Sequence, residues 1–155
     1  MMLDMGDYED QPLGYLLYRA MATLRPHVNA ELKPLGIGLP EFVCMRNLSM
    51  WPDQSNAELA RHASVTPQAM NLVLRALEDM GLIARPTMVP AGRSLPARLT
   101  RKGKALLRRA EATVQIADER LLGQLTPSER SQFKRLLHTV GSEPADLAEA
   151  RAVRP

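Results

Sequence analysis

The 155 residues are of single-domain length. Hydrophobic residues make up 45% of the chain but aromatic ones only 4%, so Leu, Ala, Met and Val must fill the core; no apolar run reaches the roughly eighteen residues of a membrane span, and one cysteine excludes an intramolecular disulfide. The net charge of +3 permits an anionic partner without arguing for one.

The first ten residues, MMLDMGDYED, are acidic and polar, which argues against a signal peptide. With the single cysteine, this suits a reducing cytoplasm. From Pro12 to Leu35, Leu13, Leu16, Leu17, Ala20, Met21, Leu24, Val28 and Leu32 keep helical register. Pro34 and Gly36 close this helix, and Pro26 is expected to kink or interrupt it. A second helix carries LPEFVCMRNL, 39–48, with Cys44 facing the core as a small hydrophobe.

Ser55 and Glu58 have the spacing of a capping box and start a third helix. Ala57, Leu59, Ala60 and Ala63 allow close packing, and Ala63-Ser64-Val65 is a turn short enough for a steep helix crossing. Thr66 caps the fourth helix and Pro67 takes its first position. Met70, Val73, Leu74 and Leu77 share one stripe, and Gly81 supplies the left-handed residue that ends it. Gln68, Asn71, Leu72 and Arg75 are left on the outer face. That layout suits a helix lying in a DNA major groove; two antiparallel core helices are the plainer alternative.

Leu82-Ile83 starts an extended segment, and Ser94 to Leu99 returns antiparallel to it. Met88 to Arg93 forms the turn, and Pro86 and Pro96 give the ribbon edge character. From Arg85 to Arg109 all eight charges are positive: Arg85, Arg93, Arg98, Arg101, Lys102, Lys104, Arg108 and Arg109. Such a run usually marks a solvated face, but here it directly follows a candidate reading helix. Phosphate contacts by these residues would supply salt-dependent affinity. A long helix spans Thr100 to Leu125. Thr126-Pro127-Ser128-Glu129 is another capping box, and a last helix runs to about Val140 before Gly141 and Pro144. The terminal and long helices carry more apolar stripe than a small winged domain can cover.

In order and spacing, LPEFVCMRNL (39–48), SNAELARHASVTPQAMNLVLRALEDMGLI (55–83), GRSLPARLTRKGKALL (92–107) and LTPSERSQFKRLLHTV (125–140) resemble the MarR family of winged helix-turn-helix transcription regulators. The resemblance covers about Leu13 to Val140. It implies a mainly α fold with a small β-hairpin wing, read as a single MarR-like domain over 1–155. The winged helix-turn-helix core lies at about 39–100, with dimerisation helices at about 10–35 and 100–140. The family's wing carries Asp-x-Arg before Leu-Thr; here Arg93 keeps its place but Ala91 replaces the Asp.

The candidate DNA contacts are Ser55, Arg61, Thr66, Gln68, Asn71, Leu72, Arg75, Arg93, Ser94 and Arg98. The resemblance implies a small phenolic or aromatic-acid effector, for which Tyr15, Arg19 and His27 are candidate contacts. Relatives that sense peroxides use a cysteine on the first helix, which here has Tyr15 and Tyr18 but no cysteine. No catalytic residue, metal site or cofactor is expected. His27, His62 and His138 lack ligand spacing, and no phosphate-cradling glycine loop or G-x-S-x-G motif occurs. The expected function is that of a non-enzymatic, cytoplasmic, homodimeric repressor on a pseudo-palindromic operator in double-stranded DNA. An activator of the same fold, or a winged-helix protein-interaction module, are the alternatives.

Overall fold

In the computed structural model, residues 8–85 and 96–142 are described. Six helices and one hairpin follow in chain order: α1 Leu13–Leu32, α2 Leu39–Met50, α3 Asn56–His62, α4 Pro67–Asp79, β1 Ile83–Ala84, β2 Arg98–Leu99, α5 Arg101–Leu121 and α6 Pro127–Gly141. Single 3-10 turns follow α1 at Lys33–Leu35 and α5 at Leu122–Gln124. The chain divides into two compact units, Met1–Asp118 and Glu119–Pro155.

Each start signal in the first unit acts through a specific atom. The Asn29 side chain accepts the Leu39 N–H at 3.0 Å, and the Glu41 carboxylate accepts the Gly38 N–H at 2.9 Å, so α2 starts tied to α1. Ser55 and Glu58 form the expected reciprocal box on α3, and the Thr66 hydroxyl accepts the Ala69 N–H on α4. Both exits of the helix-turn-helix close the same way. Gly81 is left-handed (φ 71°), with the Leu82 N–H on the Leu77 carbonyl and the Gly81 N–H on Glu78. Ser64 takes the equivalent place after α3 at φ 53°, with the Val65 N–H on Ala60 and its own on Arg61. The three-residue turn is therefore set by hydrogen bonds to the end of α3.

The core gathers one stripe from each element. Val28 and Leu32 of α1, Cys44, Met45 and Leu48 of α2, and Leu59 and Ala60 of α3 meet Met70, Leu74 and Leu77 of α4. Leu82, Ile83, Ala97, Leu107, Ala110 and Ala117 complete it. Cys44 is buried as expected, and burial pushes its thiol up to about 12, with Glu41 adding to the shift and Arg85 opposing it. The thiol is therefore protonated near neutrality.

Of the two outcomes expected at Pro26, a kink or a break, the break does not occur; one helix runs through it. Ala22 and Pro26 are both exposed, so the carbonyl left without an N–H partner faces water. Within the described residues the hairpin pairs Ile83 with Leu99 and Ala84 with Arg98, antiparallel, as expected of the two segments. Its expected tip, Met88 to Arg93, lies outside the described residues.

In the second unit, Thr126 and Glu129 form the expected capping box on α6. Arg130 Nε donates to the Leu125 carbonyl at 3.1 Å. Phe133, Leu136, Leu137 and Val140 follow at helical spacing, and all four are exposed. No residue of α6 is buried within the single chain.

Candidate nucleic-acid interface

Helix α4 is held from three sides. Met70, Leu74 and Leu77 anchor its inner stripe, Thr66 its start, and the Gly81 turn its end. On the opposite face, Gln68, Leu72 and Arg75 are exposed and Asn71 is half-buried. The spacing places these four side chains on adjoining turns of one face. Leu72 is 69% exposed on this face. At the margins, Ser55 and Thr66 are spent on caps with their hydroxyls at the surface, and Arg61 is exposed in the last turn of α3. These seven candidates thus lie on α3, α4 and their caps. Arg93 and Ser94 lie outside the described residues.

Arg98 is placed differently from the expectation of a free basic residue. Its Nε and Nη2 donate to the two carboxylate oxygens of Asp53, in the turn between α2 and α3. The Arg98 hydrogen bond, then its charge, holds the Asp53 carboxyl below the usual carboxylate range, and Asp53 raises the Arg98 guanidinium in turn. Asp53 is itself left-handed, at φ 65°. Beside it the Ala97 N–H reaches the Gln54 carbonyl at 3.4 Å, so β2 is tied to this turn by side chain and backbone.

The basic run is therefore not one free face. Arg85 is largely covered, at 17% side-chain exposure, with Nε 3.9 Å from Glu78. Lys102 Nζ donates to the Met80 carbonyl at 2.8 Å, closing the C-terminal end of α4 where a cation is favoured. Arg98 and Lys102 are thus engaged by the protein itself, and Arg85 is turned inward with its Nε and Nη2 buried and without a hydrogen-bond partner among the described residues. Arg101, Lys104, Arg108 and Arg109 remain exposed.

A mainly apolar groove of about 730 Å³ runs between α1, α2 and the helix-turn-helix. Leu39, Pro40, Val43, Val65, Met70, Leu72 and Val73 form its walls, and Arg25 and Asn29 of α1 bring polar groups. Tyr15, Arg19 and His27 do not line it. Tyr15 and Arg19 lie nearer the start of α1, the guanidinium 5.9 Å from the Tyr15 ring centroid. His27 is two residues from Arg25, about 200° around the helix, and is exposed. Its neighbours Arg25 and Asn29, four apart, are the ones that share the groove face.

Asp53 and Gly103 carry no role in the sequence expectations, and Lys102, counted there in the basic run, instead caps α4. Only Asp53 carried a local signal, as the third residue of a Trp-Pro-Asp turn. Among the described residues there is no group of three or more His, Cys, Asp or Glu placed to hold a metal ion. No helix among them is long and apolar enough to cross a membrane.

A capped two-helix turn, an exposed outer face on its second helix and an antiparallel hairpin after it define a winged helix-turn-helix protein. The MarR family profile matches residues 37–89. The HTH-type transcriptional repressor Rv2887 of Mycobacterium tuberculosis is 62% identical over 139 residues, covering 90% of this chain and all of that protein. The crystal structure of the Mycobacterium tuberculosis MarR family protein Rv2887 in complex with p-aminosalicylic acid superposes with a TM-score of 0.75 at 61% identity, covering 85% of this chain and 100% of that one. The structure of the same protein in complex with DNA gives 0.74 at 60% identity, covering 86% and 100%. The chain belongs to the MarR family.

Proposed function

We propose that this chain is a non-enzymatic, cytoplasmic repressor that binds a pseudo-palindromic operator as a homodimer and is released by a small aromatic acid or phenol. The carrying observation is the outer face of α4: an exposed Gln68, Leu72 and Arg75 beside Asn71, on a helix fixed at both ends and along its inner stripe. Amide side chains suit adenine edges and arginine suits guanine. The relative solved with DNA supports the same reading. Arg61, Ser55 and Thr66 flank that face, and Arg93 and Ser94 of the wing are assigned to the backbone or minor groove. Arg98 acts by fixing the base of the wing through Asp53.

The chain works as one MarR-like unit over 1–155, with the reading core at about 39–100. Helices at about 10–35 and 100–140 join the copies. Leu13, Leu17 and Met21 on α1 and Phe133, Leu136, Leu137 and Val140 on α6 supply the apolar surface, exposed in the single chain. Tyr15, Arg19 and His27 belong to this copy-to-copy region in our reading.

The effector is assigned to the groove at Arg25 and Asn29, whose walls are mainly apolar, whose one carboxylate, Glu41, accepts the Gly38 N–H, and whose volume suits a small ring. One wall is the inner edge of α4 itself, so an occupant there shifts the reading helix. For release, it must bind the DNA-incompetent arrangement more tightly. The test is a titration of p-aminosalicylate into the preformed protein–DNA complex. Release is expected, with Arg25→Ala raising the concentration required and leaving DNA affinity intact. No release at millimolar concentration, and no calorimetric binding to the free protein, would make the chain a constitutive binder.

A further inference from the structure

A second cleft, of about 430 Å³, lies between the C-terminal half of α2, the Asp53 turn, β2 and the first turns of α5. It shares no lining residue with the effector groove. Arg46, Arg98, Lys104 and Arg108 bring four positive charges to it, and Asp53 and Glu111 two negative ones. Both carboxylates are engaged: Glu111 accepts from Arg46 Nη1 at 2.7 Å, and Asp53 from Arg98. The side chains of Lys104 and Arg108 have no hydrogen-bond or ion-pair partner among the described residues. They are four residues apart, so their side chains emerge on one face of α5. Leu48, Leu99 and Leu107 supply apolar surface below them.

We infer that this cleft binds a small organic dianion, a phosphate monoester on a compact apolar body. Two observations decide the class. The two uncompensated cations call for two negative charges rather than the single charge of a carboxylic acid. The arginine fork and the lysine point charge are the usual partners of phosphate oxygens. The leucines give the organic part a surface that inorganic phosphate would leave bare. Arg98 and Asp53 line the same cleft, so the Arg98 Nε–H reports an occupant there. This inference goes beyond the proposed repressor function and does not rest on it.

A DNA backbone phosphate has related chemistry, so the test uses the free, full-length protein without DNA. Phenyl phosphate is the probe, titrated by calorimetry and by NMR on the Arg98 Nε–H; phenol and inorganic phosphate are the comparisons. Saturable binding of phenyl phosphate, tighter than either comparison, is expected. Lys104→Ala combined with Arg108→Ala should weaken it by about tenfold or more, the scale of a lost hydrogen bond to a charged group. Both positions are exposed on α5, so the change leaves the core intact. Arg25→Ala, in the other groove, should leave binding unchanged. Absence of saturable binding overturns the inference. So does a loss confined to Arg25→Ala, which would place the probe in the effector groove. If the double variant weakens DNA binding while the parent ignores phenyl phosphate, the two cations serve the DNA backbone and the inference is wrong.

Discussion

Gly103, in the first turn of α5, faces the carbonyl of Leu82 so closely that a Cβ at this position would stand 2.0 Å from the oxygen. The approach is fixed by Thr100, whose hydroxyl donates to the Gly81 carbonyl at 2.7 Å and accepts the Gly103 N–H at 3.0 Å. The Thr100 N–H also bonds the Leu82 carbonyl at 3.0 Å. The end of α4, the root of the wing and the start of α5 therefore form one fastening. Gly103→Ala must move backbone, and should cost about 1–3 kcal/mol, the usual range for overpacking. Urea unfolding measures it. A change within a few tenths of a kcal/mol would mean that α5 is not pressed against Leu82.

The Asp53–Arg98 contact gives the base of the wing a pH dependence of known sign. Arg98 lowers the folded-state pKa of Asp53, chiefly through the hydrogen bond. The stabilisation is therefore complete above the usual carboxylate range and is lost as pH falls through the lowered value. An NMR titration following the Arg98 Nε–H should show the contact opening at a midpoint below that of an ordinary aspartate. Asp53→Asn should abolish the transition. A midpoint at or above the ordinary value would mean that the two groups are not paired in solution.

The apolar stripe of α6 makes a prediction about assembly. Leu136 and Leu137 on α6 are exposed in the single chain, and so, separately, are Leu13 and Leu17 on α1; apolar stripes of this kind mark interaction surfaces. Sedimentation should find a dimer at micromolar concentration, and Leu136→Glu should shift it toward monomer while far-ultraviolet dichroism is preserved. The two half-sites on DNA should lie about one helical turn, roughly 10 base pairs, apart. A parent protein that sediments as a monomer with and without DNA would contradict this arrangement.

What the sequence disclosed was mostly local. The caps at Ser55, Thr66 and Thr126 and the left-handed Gly81 depend on residues within a few positions, and each appears with the expected bond or angle. The stripe of α4 was legible for the same reason: periodicity sorts Met70, Leu74 and Leu77 from Gln68 and Arg75. At Pro26 local rules allowed a kink or a break, and the helix is not broken because the lost bond lies on a water-facing side. They were silent on pairs distant in the chain. Nothing in the order of residues couples Asp53 to Arg98, 45 positions apart. The basic run concealed the inward turn of Arg85 and the capping role of Lys102, because charge counts carry no direction. That Arg25 and Asn29, and not Tyr15, Arg19 or His27, line the groove depends on which side of α1 meets α2, which residue order alone does not fix.

The measurement that bears most directly on the central claim compares two DNAs and two proteins. The parent and Asn71→Ala are titrated against the preferred site and against a scrambled duplex of the same composition, at matched salt. If the outer face of α4 reads bases, Asn71→Ala loses about 1–3 kcal/mol of discrimination, with binding to the scrambled duplex nearly unchanged. Equal weakening on both duplexes, or none on either, would contradict the assignment of α4 as the reading helix.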